Sequence, residues 1–322
     1  MRKSTKLCLL SAAALIVLGS ATFTITACSI HWDFKKFNTV TLETNAYTVD
    51  KSFQSISIDV NTANLEFLPS TNEECRVLCH EDIKQKSVVG VENDTLTIQS
   101  IDERAWYDHL SVGGDNPIIK IYLPQTQYKN LAIEISTGDI TIPKHFTFDS
   151  VNISGATGDV DFSASVATNL TVEVSTGDIT LKNMSADSAK LTTSTGEISL
   201  YSVAIANDLT TQASTGATEL KDITCKNFTH NSSNGDIEMD NVILSEKMSI
   251  TVSTGDVEFE GCDAGEIYIK TTTGDVEGSL LTAKDFHADS NTGDVKVPNT
   301  SVGGKCEITC STGDIKITVI NN

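Results

Sequence analysis

The sequence has few aromatic residues, few prolines and few basic side chains. Aromatics make up 6% of its 322 residues, and only five residues are proline. Hydroxyl and β-branched residues are abundant instead, a balance that suits stacked short strands better than a helical bundle. Lys and Arg number 23 against 43 Asp and Glu, which gives a net charge of −20. A surface with this excess of negative charge repels phosphate backbones, which argues against nucleic acid as a partner.

Disulfides are also poorly supported, although the chain has eight cysteines. Two pairs, Cys75 with Cys79 and Cys306 with Cys310, are four residues apart in strand-like sequence. Four residues of strand span about 13 Å, whereas the Cα atoms of a disulfide lie about 4.4–6.8 Å apart. The sequence therefore predicts buried free thiols.

The N-terminus is typical of a targeting segment. A basic start at Arg2, Lys3 and Lys6 is followed by an uncharged stretch that continues to Ile30, as in a secretory signal or a single membrane anchor. A small residue precedes Cys28 in a relaxed lipobox-like pattern, which makes Cys28 a candidate lipidation site. A lipoprotein, an uncleaved anchor and full release remain open; both anchored forms leave the chain on the extracytoplasmic face of the membrane.

The strongest pattern is an internal repeat of 19–20 residues centred on Ser-Thr-Gly-Asp. Glycine supplies the positive φ that a tight corner needs. Apolar residues alternate with polar ones on both sides of the corner, which indicates one buried side in each flanking strand. The ten corner glycines are Gly138, Gly158, Gly177, Gly196, Gly216, Gly235, Gly255, Gly274, Gly293 and Gly313.

A unit of this length cannot bury its apolar side alone, so like residues are expected to stack on like. The pattern favours an all-β fold, a parallel β-solenoid of about ten coils spaced about 4.8 Å apart. The alternative is a stack of antiparallel hairpins that turn at Thr-Gly-Asp; it leaves the polar return segments without a role.

An acidic residue follows the corner glycine in nine of the ten copies. Stacked in register, these side chains would form a column of like charges that repel one another. Calcium, which prefers oxygen ligands, is one way to offset that repulsion. The alternative is that each carboxylate closes its own turn by accepting backbone hydrogen bonds. The candidate calcium ligands are Asp139, Asp159, Asp178, Asp236, Asp256, Asp275, Asp294 and Asp314.

The remaining chain divides around this repeat. We expect a signal or anchor at 1–27, a tether at 28–51, an irregular β cap at 52–128 and the solenoid at 129–322. An insertion within the cap carries an exposed aromatic cluster that predicts either a binding loop or local packing; its candidate residues are Trp106, Tyr107 and His109. The chain ends in the strand-like run 315–322 with no capping helix, so self-association through that end of the solenoid is a further expectation.

Two strands, SISIDVNTANLEFLPS and DTLTIQS, precede the serial STGDI and STGDV units. With a membrane anchor ahead of them, they resemble the bacterial putative-adhesin β-repeat family, over residues 52–320. The resemblance implies a cell-envelope surface protein without catalytic residues. Some such proteins are linked with envelope-stress systems. The sequence departs from the repeat at Ala217 and Gly278.

Function is less determined than fold. The first hypothesis is a surface interaction module that binds a cell-wall polymer, a glycan or a surface protein. The second is an envelope scaffold that binds a membrane partner or itself. A polysaccharide-active enzyme is disfavoured, because its catalytic cleft needs long loops and no repeat from Gly138 to Gly313 exceeds 20 residues. None of the six histidines belongs to a metal or nucleophile motif.

Overall fold

The fold consists almost entirely of short β-strands. The structure is a computed structural model that describes residues 3–29, 32, 41–103 and 117–320. One helix, α1, covers Lys3–Ser29. The strands in chain order are β1 (Leu42–Val49), β2 (Ser55–Thr62), β3 (Asn64–Pro69), β4 (Cys75–Asp82), β5 (Gln85–Glu92), β6 (Thr95–Asp102), β7 (Ile118–Leu123), β8 (Gln127–Thr137), β9 (Ile140–Ile142), β10 (Thr147–Thr157), β11 (Val160–Phe162), β12 (Ser165–Thr176), β13 (Ile179–Lys182), β14 (Ser185–Thr195), β15 (Ile198–Ile205), β16 (Asp208–Thr215), β17 (Thr218–Asn234), β18 (Ile237–Thr254), β19 (Val257–Cys262), β20 (Glu266–Thr273), β21 (Val276–Leu280), β22 (Asp285–Thr292), β23 (Val295–Lys296), β24 (Lys305–Thr312) and β25 (Ile315–Val319).

Equivalent strands of neighbouring copies pair parallel and in register. On the strand before the corner, Val151 lies beside Leu131 on one side and Leu170 on the other. All three side chains are buried, as the alternating pattern requires. Because the pairing between copies is parallel, the predicted β-solenoid is confirmed and the stack of antiparallel hairpins is wrong.

A second corner makes the coils of the middle region three-sided. Asn183, Ser202, Asp222 and Asn241 occupy equivalent positions after the corner glycine and have φ between 51° and 56°. Gly261 takes the same place in the next coil with φ 58°. Short polar side chains tolerate this left-handed conformation better than most residues, so the chain turns there and adds a third buried side.

The two coils nearest the C-terminus stack in the reverse of their sequence order. β24 lies between β20 and β22, and β25 lies between β21 and β23. Within β24, Cys306 and Ile308 are fully buried, whereas Phe286 and Ala288 of β22 are only partly buried. The more apolar coil thus takes the inner place and the more polar coil takes the end. The chain-terminal strand β25 is therefore not the outermost strand at Ile315 and Lys316, where β23 covers it, and self-association through the solenoid end stays a prediction.

The N-terminal end shows the same inversion. β2 lies between β6 and β8, and β3 lies between β7 and β9. β5 then pairs antiparallel with β6, and β4 pairs antiparallel with β7. β1 extends that side by pairing antiparallel with β4, so the predicted tether 28–51 includes a strand from Leu42 onward. The alternating side chains of this strand bring Tyr47 against the cap, where its hydroxyl donates to the Ser87 carbonyl at 2.9 Å.

Two predicted features lie at or beyond the limits of the described residues. The candidate binding loop with Trp106, Tyr107 and His109 falls outside them. Cys28 lies in α1 and is exposed. In the part of the chain that the structure describes, no helix has the length and apolarity that spanning a membrane requires.

Candidate functional site

The corner column is the most regular feature of the surface, and glycine is required there for two reasons. Gly177 has φ 144°, a conformation that side chains disfavour. A Cβ atom on Gly177 would also lie 2.0 Å from the carbonyl oxygen of Gly158 in the preceding coil. The same close approach to the preceding coil recurs at each corner glycine, so adjacent coils touch backbone to backbone at this edge.

At the corner of most coils, one backbone N–H donates to a side chain rather than to a carbonyl of the adjacent coil. The N–H of Gly158 donates to the Thr176 carbonyl of the following coil at 2.9 Å. The N–H of Asp178 points the other way, and the Oδ1 atom of Asp159 in the preceding coil accepts it at 2.8 Å. The carboxylate thus completes the parallel ladder where the backbone itself turns.

Repetition of this contact links the corner residues into a ladder. Asn64 begins it by accepting the N–H of Asp139 at 3.1 Å. The ladder breaks between Glu197 and Asp236, because Glu197 accepts from the Ser199 hydroxyl and Ala217 has no side-chain oxygen. It resumes at Asp236 and continues through the reversed coils, so Asp294 donates its N–H to Asp314 at 2.8 Å. Further donor–acceptor pairs of the ladder are Asp159 to Asp139, Glu197 to Asp178, Asp256 to Asp236, Asp275 to Asp256 and Asp314 to Asp275.

The predicted column of acidic side chains is therefore present, but seven of its nine carboxylates accept an N–H of the next coil rather than closing their own turn. Hydrogen bonds from N–H groups offset the repulsion between neighbouring carboxylates. Within the described residues, no group of three or more His, Cys, Asp or Glu side chains is arranged to hold a metal ion. The geometry of the column thus supports the hydrogen-bonding interpretation, and specific calcium binding stays a prediction.

Replacing Asp256 with alanine is expected to lower the free energy of unfolding by about 1–2 kcal/mol, because the N–H of Asp275 loses its charged acceptor. Asp256→Asn is the matched control. Its amide oxygen can accept the same bond, as Asn64 does at the start of the ladder, so its cost should be less than half. Chemical denaturation of both variants, with calcium and with chelator, measures the effect. Equal losses in the two variants, or a loss seen only with calcium, would support the metal ladder instead.

Two columns of exposed hydroxyl side chains run beside the carboxylate ladder. The residue before the corner glycine is exposed in every coil and is threonine in nine of ten. The residue before that carries a hydroxyl in eight of ten. Register places neighbouring members about 4.8 Å apart along the stack. The threonine column comprises Thr137, Thr157, Thr176, Thr195, Thr215, Thr254, Thr273, Thr312 and Thr292, with Asn234 in the remaining place.

The side after the corner carries an acidic groove that the sequence reasoning missed. Glu219, Glu238, Glu258 and Glu277 lie side by side on successive coils. With Gly278, they line a shallow groove of about 620 Å³. The sequence signal is a glutamate three residues after the corner glycine in four consecutive copies. Its regularity was hidden because the other copies carry Thr, Ser, Asp or Lys there.

The thiols lie in the core, away from these surfaces. Six cysteines of the β-region are free and buried, which confirms that prediction. Burial raises the pKa of the Cys75 thiol to about 12 and that of Cys225 to about 12. A thiol with so high a pKa is a poor nucleophile at neutral pH, so these cysteines act as small apolar side chains. The buried thiols are Cys75, Cys79, Cys225, Cys262, Cys306 and Cys310.

These features define a β-solenoid repeat protein. Its coils are stacked, and its surface carries the corner column of glycines and carboxylates and the two hydroxyl columns. Two segments, residues 53–212 and 204–322, match the model of the Toastrack DUF4097 family, and the chain belongs to that family. No curated protein matches.

Solved structures are similar to this chain at low sequence identity, and the first of the three named here has a TM-score above 0.5. A "putative lipid binding protein" of Parabacteroides distasonis has 18% identity and a TM-score of 0.51, with 87% of this chain and 98% of that chain covered. A "putative adhesin" of the same species has 13% identity and a TM-score of 0.49, with 87% and 98% covered. A "putative adhesin" of Bacteroides fragilis has 14% identity and a TM-score of 0.43, with 87% and 99% covered.

Proposed function

We propose that this chain is a non-catalytic surface interaction module, held by its N-terminal segment on the extracytoplasmic face of the membrane. The observation that carries the proposal is the pair of exposed hydroxyl columns beside the corner. They repeat one contact geometry at every coil. A repeating ligand such as a cell-wall polymer or a glycan can engage many coils at once, and avidity then multiplies a weak contact.

The chemistry of the surface also supports binding rather than catalysis. The corner carboxylates are engaged by backbone N–H groups, and the acidic groove is shallow and open along one side of the stack. A hydroxyl-rich face offers both donors and acceptors to sugar hydroxyls. The net charge of −20 favours neutral or cationic partners over anionic ones.

Binding of the full-length chain, kept in mild detergent, to wall polymers, cells of the same species and host glycoproteins tests the proposal. We expect saturable binding to one class. The variant Thr195→Glu/Thr215→Glu places two charges in the hydroxyl column and should weaken that binding at least about tenfold.

The matched control is Thr224→Glu/Ser245→Glu, which adds the same charge at exposed positions away from the corner. It should bind as the parent chain does. Repeating the assay with chelator tests calcium separately. Absence of binding to every class by a folded chain would refute the interaction module and favour the second hypothesis, an envelope scaffold, for which co-purification of a membrane protein is the measurement.

A further inference from the structure

The last coil of the stack has a bare strand edge. Within the described residues, β22 pairs with β24 on one side and no strand pairs along its other side. The following loop reaches that edge only at its start, where Ser301 bridges Asp285 and the Thr300 hydroxyl donates to the Lys284 carbonyl at 2.6 Å. Beyond the N–H of Phe286 the edge is open, and open edges are templates for pairing with another chain.

Backbone alternation shows which groups lie on that edge. The N–H of Asp285 donates to the Gly304 carbonyl, which belongs to the neighbouring coil. Since successive residues of a strand direct their N–H and C=O groups to opposite edges, Phe286, Ala288 and Ser290 face the outer side. The antiparallel bridge between Asp285 and Ser301 takes the N–H of Phe286, so the groups available to a further strand are the C=O of Phe286 and both groups of Ala288 and Ser290.

Apolar side chains surround the same edge. Phe286 and Ala288 are partly buried and pack against the end of the core. Val295 is 40% exposed, whereas Ile315 and Val276 at the equivalent position of the inner coils are buried. Val302 is 63% exposed. The end therefore combines unpaired backbone groups with uncovered apolar surface, which favours a protein partner over a small polar ligand.

We propose that two copies of this chain associate end to end, by antiparallel pairing of β22 with β22 of the second copy. A twofold axis through Ala288 satisfies the alternation, because it sets Ala288 opposite Ala288 and Phe286 opposite Ser290. It also sets His287 opposite Asp289 twice, in the closer, non-hydrogen-bonded positions, where an imidazole can donate a hydrogen bond to the carboxylate. Within its own strand the Nε2 atom of His287 lies 3.3 Å from an oxygen of Asp285. His287 and Asp289 are both exposed.

Charge selects this register over its neighbours. If the twofold axis passes through His287 instead, Asp285 lies opposite Asp289. If it passes through Asp289, Asp289 lies opposite its own copy. Both arrangements place like charges face to face, which is destabilising. Thr300 and Ser301 occupy the edge beside Lys284 and Asp285, so in the register centred on Ala288 the second copy must leave the edge after Ser290, before its Asn291 comes opposite Asp285. A register centred on Phe286 would set Ala288 itself opposite Lys284, inside the occupied part of the edge. The partner is therefore a second copy of this chain, and its pairing does not depend on what the hydroxyl columns bind.

Sedimentation of the full-length chain in density-matched detergent, over a wide concentration range, tests the association. We expect a reversible monomer–dimer equilibrium. Ala288→Pro removes an edge-facing N–H without touching a bond to β24, and should weaken the dimer at least about tenfold. A chain that stays monomeric throughout the range would refute the proposal.

Charge variants keep the backbone unchanged and test the register. His287→Asp sets two aspartates opposite each other in the dimer, and Asp289→Lys removes the acidic member of each pair; each chain alone should be largely monomeric. An equimolar mixture sets a hydrogen-bond donor opposite a carboxylate at both contacts and should form a heterodimer. Association of each variant alone, or no association in the mixture, would show that β22 does not pair in this way.

Discussion

Replacing Gly177 with alanine is expected to cost at least about 4 kcal/mol of folding stability, the range reserved for substitutions that force backbone rearrangement. The φ of 144° is one cause, since L-residues avoid it. The larger cause is contact: the added methyl carbon would lie 2.0 Å from the Gly158 oxygen. Relief requires the two coils to separate, which disrupts the bond from Gly158 to Thr176 and the one from Asp178 to Asp159. Chemical denaturation of the full-length variant measures the loss.

Two other glycines separate these causes. Gly261 has φ 58° and no atom near its Cβ position. Gly261→Asn should cost at most about 1 kcal/mol, because Asn183 and Asn241 adopt that conformation at the equivalent position of other coils. Gly90 lies in a strand, and a Cβ atom there would meet only the Thr97 hydroxyl at 3.8 Å, so Gly90→Ala should be close to neutral. A loss at Gly177 no larger than at Gly261 would show that the coils do not touch at the corner.

The repeat made most of the fold predictable. A period of 19–20 residues, the corner glycines and the apolar alternation together determine parallel coils, and the described strands follow them. The acidic column was predictable for the same reason. The hydrogen bonds from backbone N–H groups to these carboxylates were not predictable. The direction of the Asp178 N–H depends on how the backbone turns at the corner rather than on which residue is there.

The order of the coils at each end could not be predicted from the repeat. Every copy carries the same corner signal, so nothing in the motif distinguishes β22 from β24 as the neighbour of β20. The difference lies in the inward residues. Ile308 and Cys306 need cover on both sides, whereas Ala288 and Ser290 tolerate the end of the core. This inversion makes β22, rather than β24, the outermost strand on its side of the stack, and gives it the open edge on which the end-to-end dimer depends.

A buried histidine is expected to make the stability of the solenoid pH-dependent. His230 lies between Thr211 and Ile250 in the inward column and is 1% exposed. Its Nδ1 atom lies 2.9 Å from the Thr211 hydroxyl, while Nε2 has no hydrogen-bond partner. Burial among these side chains disfavours the charged ring and lowers the pKa of His230 from 6.5 to about 4.

The direction of the effect follows from that lowered pKa. Above pH 6.5 the ring is neutral in the folded and unfolded states, so stability is complete. As pH falls from 6.5 towards 4, the unfolded chain binds a proton that the folded chain excludes, and stability is lost. At about 1.36 kcal/mol per pH unit the full interval corresponds to about 3 kcal/mol, and the part between pH 6.5 and 5 to about 2 kcal/mol.

Denaturation of the full-length chain at pH 7, 6 and 5 tests this expectation against two variants. His230→Ile gives the column the residue that Ile250 already provides in the next coil, and it should remove the loss attributed to the ring. His145→Gln removes an exposed histidine and should leave the pH profile as it is in the parent chain. If His230→Ile retained the parent slope, the acid sensitivity would belong to the carboxylates. A slope that disappears in His230→Ile alone would show that one polar side chain in the core makes this part of the stack its acid-sensitive point.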